Sequence, residues 1–582
     1  MQLNGFSDPA TNLLDHVDDR LRALRAQAAL LAVVPFRPAP NDVRLEQRDR
    51  AWIDSAAGRR TLAALAADGE PLGLRFADER LAQLGELLER DEPDPLATRA
   101  VAPHARWVVN FGDPNTTKAL HVGHLRNVAI GNAVASAAEA LGSDVVRQSR
   151  VGDYGRSMGE AMAGYLAYGD GCVPSRDGRK GDRLIGECYL RYVRSLPERA
   201  AATAGDGRDS GLGDAALSRE RLVHGDTAEE LLERWRAGEP EAVRLFEDVR
   251  SWVVDGHTAT YAQLGVRVDR TLFESDHLAH AEALVQEGIA CGAIARGAGA
   301  ATLYATGEEA YPQLLLHRRD GFPTQHLRYV ATYDATRPLL AGARSVAVFG
   351  SEWRGLIRAC EALLTRLRPG AEIHPTDNLM HEMVLGDGGA AVKSSRGGAL
   401  LVDDLLARVV EAEPVSGLAR RHGRIDAEQL ARIVLLGFFI GRPLQERITV
   451  TLDELLDVRS NVGWSLAQAW ARACDPRYDG APDPEPGDDG YRFVLVQSQR
   501  HRRLLARCVA ELDLLPFVRF HYHLTRWFAG VQPTPRSARA LRGVLGAGLA
   551  ALGLAASEGA TALGRAGALS DAMALVGAGE DS

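Results

Sequence analysis

The sequence predicts an α/β protein: a doubly wound domain that carries an insertion, followed by an all-α region. Three observations predict this. Trp107-Val108-Val109-Asn110-Phe111 is a short apolar strand pattern that runs through the loop Gly112–Ala119 into an alanine-rich helical pattern, Val122 to Leu141. A second strand, Asp144–Ser149, follows, and that order is one βαβ half of a doubly wound sheet. Strand and helix signals alternate again at Ala300–Tyr304 and Ser345–Phe349, and after Asp403 only helical periodicity remains.

At 582 residues the chain is too long for one core. Residues 1–100 read as mostly helical, from apolar spacing over Leu13–Leu31 and Leu62–Leu88, and Pro93, Pro95 and Pro103 then punctuate the chain. The α/β domain is placed at 101–402, with an insertion at about 166–260 that holds a Gly/Asp/Arg-rich loop, Ala200–Gly213. The helical region is placed at 403–582, split by the Pro/Gly/Asp-rich stretch Tyr478–Gly490.

Composition narrows the function classes. Hydrophobic residues make up 46% and charged residues 25%, the balance of a soluble globular protein. No apolar run has membrane-spanning length and no secretory pattern opens the chain, so a cytoplasmic protein without a membrane partner is expected. Six scattered cysteines form no CxxC pair, so neither a zinc site nor a disulfide framework is expected. A net charge of -9 argues against blanket nucleic-acid binding. Locally, however, Tyr491–Leu545 holds ten arginines against two acids, interleaved with Phe517, Phe520, Tyr522, Trp527 and Phe528. Two readings are open there: an RNA contact, with Arg500, Arg503, Arg507 and Trp527 as the contacting residues, or a solvated helix whose aromatics face a core.

The basic residues are almost all arginine; of 68, only Lys118, Lys180 and Lys393 are lysine. Where arginine serves nearly everywhere, a surviving lysine marks a place that needs a compact ammonium rather than a planar fork. Lys118 and Lys393 lie in short polar or glycine-rich segments suited to phosphate. Lys180, in Gly178-Arg179-Lys180-Gly181-Asp182, reads as a remnant.

His121-Val122-Gly123-His124 opens the first long helix of the α/β domain. Gly123 allows a nucleotide close to the backbone, the helix N-terminus favours phosphate, and two imidazoles one turn apart can donate hydrogen bonds to phosphate oxygens. A metal reading of the two histidines needs a third ligand, which Leu125 and Arg126 do not supply.

Pro114-Asn115-x-x-Lys118-x-x-His121-Val122-Gly123-His124-Leu125-Arg126 closely resembles the signature of the class I aminoacyl-tRNA synthetases, and among them the arginyl type. Asp153 in Val151–Gly155, Lys180–Gly186 and Val266–Ser275 resemble later stretches of that family. Lys393-Ser394-Ser395-Arg396 is similar to its lysine loop, and Ser460–Gly463 with Gln468–Arg472 is similar to the start of its helical domain. The resemblance implies a Rossmann-type catalytic domain with an insertion and an anticodon-binding-like helical bundle. It implies use of ATP, with Mg2+ carried by the nucleotide, to activate an amino acid and transfer it to tRNA; a monomer is expected. It assigns ATP to Gly123, His121, His124, Lys393, Ser394 and Ser395. His121 and His124 would steady the α-phosphate, and Lys118 and Lys393 would neutralise the leaving pyrophosphate. It places Asn115 on the substrate's α-amino group and Glu274 opposite its guanidinium.

The chain departs from the family pattern in three places. The lysine loop is one residue short, lacking the methionine. Gln325 and Tyr329 stand where the family has tyrosine and aspartate, and Trp353 stands where it has glutamine or histidine, so these three are expected to line the amino-acid pocket. Residues 1–100 lack the family's RNA-elbow pattern. Arginine and its tRNA are the default substrates. The alternatives are a paralogue that activates another amino acid for a biosynthetic pathway and a catalytically silent RNA-binding or regulatory protein.

Overall fold

The computed structural model describes residues 31–35, 42–44, 72–76, 106–195, 228–306, 312–318, 321–369, 376–386, 400–479 and 489–555. The described part of the N-terminal region is strand: β1 (Leu31–Pro35), β2 (Asp42–Arg44) and β3 (Leu72–Phe76), in the order β1-β3-β2 with antiparallel pairing. This corrects the helical expectation at Leu72–Phe76; the rest of Leu62–Leu88, and Leu13–Leu31 apart from Leu31, lie outside the described residues. Leu72, Leu74 and Phe76 alternate with Gly73 and Arg75, a period of two that the helical spacing around them hides. The Ala200–Gly213 loop and the chain after 555 lie outside the described residues.

The centre is a five-stranded parallel sheet. Its strands in chain order are β4 (Arg106–Asn110), β5 (Asp144–Val151), β6 (Arg270–Phe273), β10 (Arg344–Gly350) and β11 (Thr376–His381); in space they run β11-β10-β4-β5-β6. The chain winds outward from β4 to β6 and then returns to the other side of β4. The reversal between β4 and β10 leaves a crevice at their carboxyl ends, where doubly wound sheets hold ligands. A small antiparallel sheet, β7 (Ile294–Arg296), β8 (Thr302–Ala305) and β9 (Gln313–His317), lies between β6 and β10 in the chain.

Helix α1 (Val122–Ala140) is the hub. Alanine-rich and buried along most of its length, it packs on the sheet through one side and on the C-terminal helices through the other. An apolar character all round the helix is the pattern of a buried helix, and each of Leu125, Val128 and Val134 contributes roughly 1.5–3 kcal/mol by burial. Gly131 permits the closest approach: a Cβ there would meet the Phe111 side chain at 2.4 Å.

The insertion is helical: α2 (Arg156–Tyr168), α3 (Gly181–Arg194), α4 (Ala228–Arg236) and α5 (Pro240–Leu264) share a core of Met158, Ile185, Tyr192, Leu231, Phe246 and Val249. The C-terminal region is all helix as far as it is described, apart from a two-residue strand, β13 (Ile448–Thr449). That strand pairs in parallel with β12 (Val384–Leu385) and joins the two domains. Within the bundle, α6 (Ala427–Ile440) and α7 (Val462–Ala473) touch at Gly437 and Gly463. The Ser460–Gly463 stretch is therefore structural: Asn461 caps α7 through Gly463 N–H at 2.8 Å and donates to the Val434 and Leu455 carbonyls at 3.1 and 2.7 Å.

Arg126 fastens α1 to this bundle. Its fully buried guanidinium donates to four carbonyls, Glu382 and Glu446 at 2.7 Å, Pro443 at 2.8 Å and Leu444 at 3.3 Å.

Candidate active site

A cleft of about 280 Å³ opens at the reversal of the sheet, lined from three directions. The loop after β4 brings Gly112, Asp113, Asn115, His121, Gly123 and His124; the ends of β5 and β6 bring Arg150, Gly152 and Glu274; and Gln325 and Tyr329 meet Gly350–Trp353 from the far side. Gly112 has φ +92°, and a Cβ there would strike the Tyr261 hydroxyl at 2.6 Å, so the sharp exit from β4 requires glycine.

The histidines are fixed by the helix they begin. His121 is the N-cap of α1, and its Nδ1 accepts the Gly123 N–H at 3.1 Å; His124 Nδ1 accepts the His121 N–H at 3.2 Å. The HxGH pattern is thus a capping box made of imidazoles. Because a backbone N–H can only donate, each Nδ1 is unprotonated and each neutral ring carries its proton on Nε2. The rings stack at 3.9 Å between centroids. Burial, with Lys118 as a second cause, lowers His121 to about 4, and burial lowers His124 well below the usual histidine value. At neutral pH the pair is two uncharged N–H donors. Among the described residues no group of His, Cys, Asp and Glu could hold a metal ion.

Lys118 is not among the residues that line the cleft. Its backbone packs on Gly186 of α3, its carbonyl meets His257 Nε2 at 2.8 Å, and burial lowers its ammonium to about 8. Its positive charge nonetheless acts on both His121 and His124, adding to burial in lowering each. Lys393, Ser394 and Ser395 lie outside the described residues, but both flanks of their loop are seen. β12 enters beside the bundle, and Leu400 and Leu401 leave paired with the start of α1, where Val122 N–H meets the Leu400 carbonyl at 3.1 Å.

Lys180 is no remnant. Its Nζ meets Thr260 Oγ1 at 2.5 Å, Asp403 Oδ2 at 2.6 Å and Asp182 Oδ2 at 3.1 Å, which ties the insertion to the loop's exit. Buried Asp153 likewise holds the turn after β6, accepting from Ser275 N–H at 2.9 Å and from its hydroxyl at 2.5 Å.

All five residues expected in the amino-acid pocket line the cleft: Asn115, Glu274, Gln325, Tyr329 and Trp353. Glu274, expected to face a substrate guanidinium, already accepts Arg328 Nε at 2.7 Å. Sequence reasoning missed Arg150. Its guanidinium donates to Asp113 Oδ2 at 3.1 Å and lies over the Tyr329 ring with Cζ 4.0 Å from the centroid. Its place at the carboxyl end of a strand beside the crevice was the available signal.

In the basic stretch of the bundle the aromatics pack inward. Phe517, Phe520 and Phe528 are buried, and Trp527 packs on Phe493 at 4.5 Å. Arg507 pairs with Glu511 at 3.0 Å, and the side chains of Arg500 and Arg503 lie outside the described residues. A separate cleft of about 310 Å³ in the bundle is lined by Arg421, His422, Gln468, Arg472 and Arg526. No helix among the described residues is long and apolar enough to cross a membrane.

Residues 93–174 match the family described as tRNA synthetases class I (R), catalytic domain. Over that stretch the chain is similar to the class I tRNA synthetases of the arginyl type. It is 28% identical over 377 residues to the arginine–tRNA ligase of Amoebophilus asiaticus, which covers 63% of this chain and 61% of that protein. It is also 28% identical over 416 residues to that of Bacteroides thetaiotaomicron, which covers 69% and 67%. The chain thus matches about 61% of the length of the first of these relatives. In fold it is similar to Thermus thermophilus arginyl-tRNA synthetase, with a TM-score of 0.63 at 20% identity over 94% of this chain and 99% of that one. It is similar also to the Plasmodium falciparum enzyme, at 0.56 and 14% over 87% and 89%.

Proposed function

We propose that the chain is an ATP-dependent aminoacyl-tRNA ligase of the arginyl type. One carboxylate oxygen of an amino acid attacks the α-phosphorus of ATP, pyrophosphate leaves, and the aminoacyl group then passes to the terminal ribose of tRNA. Mg2+ accompanies the triphosphate as part of the substrate. Arginine and its tRNA are the pair given by the relatives' names.

The observation that carries this reading is the pair of neutral imidazoles at the N-terminus of α1. Charge builds on the α-phosphate oxygens in the transition state, and two pre-set Nε2–H donors beside a helix N-terminus suit that charge without reorganising. A donor of this kind is typically worth ~2.7–4 kcal/mol in the transition state. The rest of the reaction needs positioning rather than a covalent enzyme intermediate. Asn115, beside Gly152 at the cleft mouth, suits the α-amino group, and Arg421, Arg472 and Arg526 of the bundle cleft suit RNA phosphates. The test is ATP–pyrophosphate exchange across all amino acids, with and without bulk tRNA. Exchange with one amino acid, lost in His121→Ala, is expected; its absence under every condition would overturn the reading.

A further inference from the structure

We propose that the amino-acid pocket is built for an uncharged side chain, and that Arg150 is the residue that turns arginine away. The inference rests on the adenylate-forming reading of the cleft and departs from the relatives only in the amino acid.

Charge inside the pocket is already balanced. Asp113 and Glu274 are the carboxylates of its inner wall, and each already has a cation supplied by the chain. Arg150 holds Asp113 twice, through its backbone N–H to Oδ1 at 2.8 Å and its guanidinium to Oδ2 at 3.1 Å, with both side chains mostly buried. Asn110 Nδ2 adds bonds to the same carboxylate at 3.0 and 2.9 Å. Arg328 holds Glu274 at 2.7 Å, and both side chains are nearly inaccessible. The inner wall is therefore neutral before any substrate arrives, and the remaining lining acid, Glu352, sits exposed at the rim.

A substrate guanidinium pushed into this wall would find its two partners taken and would add a third cation beside Arg150. A substrate carboxylate would add a third anion. An uncharged side chain disturbs neither pair. The other walls suit it as well. Tyr329 meets Phe349 edge-on at 6.5 Å between centroids, Trp353 stands next to them, and Gln325 offers an amide at the mouth. Tyr329 has a double role, since its ring face is the platform on which Arg150 lies. An aspartate there would be claimed by Arg150, so restoring the acid of the arginine enzymes at 329 does not by itself restore a guanidinium site.

The test is calorimetric titration of the full chain with ATP and with a panel of non-hydrolysable aminoacyl-sulfamoyl adenosines bearing arginyl, glutamyl and a range of uncharged side chains. A like charge placed in a desolvated pocket costs several kcal/mol, so the arginyl compound should bind on the order of 100-fold or more below the best uncharged one. In Arg150→Ala, with Asp113 released, the arginyl compound should gain at least about tenfold while the uncharged one does not gain. Tightest binding of the arginyl or glutamyl compound by the unmodified protein would overturn the inference, and that result does not depend on how the variant folds. Binding of ATP with none of the panel would overturn the pocket assignment, whereas failure to bind ATP as well would overturn the adenylate-forming reading itself.

Discussion

Lys180→Arg should destabilise the protein, although it keeps the charge. The Lys180 ammonium has three N–H bonds and meets three oxygens, Asp182 Oδ2, Thr260 Oγ1 and Asp403 Oδ2, at 3.1, 2.5 and 2.6 Å. These converge on a single nitrogen. A guanidinium spreads its donors over a plane several ångströms wide, so it cannot cap all three. Asp182 is fully buried and Asp403 is partly buried. Leaving one such acceptor unmade costs about 1–3 kcal/mol. Lys180→Met removes the cation entirely and should cost about 3–5 kcal/mol, the usual result of stripping one partner from a buried ion pair. Urea unfolding followed by tryptophan fluorescence measures both, because the backbone of Trp252 lies against Gly181, the next residue. A Lys180→Arg midpoint indistinguishable from that of the unmodified protein, within about 0.5 kcal/mol, would refute the reasoning.

Lys393→Arg should lower the exchange rate substantially with no loss of stability, and unchanged turnover would remove Lys393 from the chemistry. His121→Ala and His124→Ala should lower the rate of adenylate formation more than ATP affinity. Each should also cost about 1 kcal/mol of stability through the lost cap, and added zinc should rescue neither; a defect confined to ATP affinity would argue for ground-state binding alone. Acid should unfold the protein early. Burial lowers His257, His381 and His521 to about 4, against 6.5 in an unfolded chain. Above pH 6.5 both states are neutral at these rings; below it the unfolded chain takes up protons that the folded chain refuses. Stability therefore falls as pH drops from 6.5 toward 4, by about 3 kcal/mol per ring at the lower end. Denaturation midpoints that stay level from pH 7 to 4.5 would contradict it.

The strand–loop–helix run at 107–141 was legible because several signals agreed there: an apolar strand, a glycine-bearing polar turn and an alanine-rich helical run. The same agreement made the two histidines legible. The lysine argument was sound in principle and misapplied to Lys180, since nothing local in Gly178–Asp182 shows that Thr260 and Asp403 close around it from far along the chain. Arg150 was hidden for a related reason. On a strand an arginine usually reads as an outward polar position, and only the strand order, with β5 next to β4 at the reversal, places this one over the crevice. In the bundle, aromatics at helical spacing beside arginines fit a core and an RNA face equally well until Phe517, Phe520 and Phe528 are seen to be buried.

Arg126 gives the molecule a mechanical property. With its guanidinium seated in the carbonyls of 382, 443, 444 and 446, helix α1, which carries the histidines at its start, is joined to the turn that follows Ala427–Ile440 in the bundle. Moving the bundle against α1 must carry or break these four bonds. Arg126→Met, which keeps the stem and removes the donors, should therefore loosen the footing of the helix that carries the histidines.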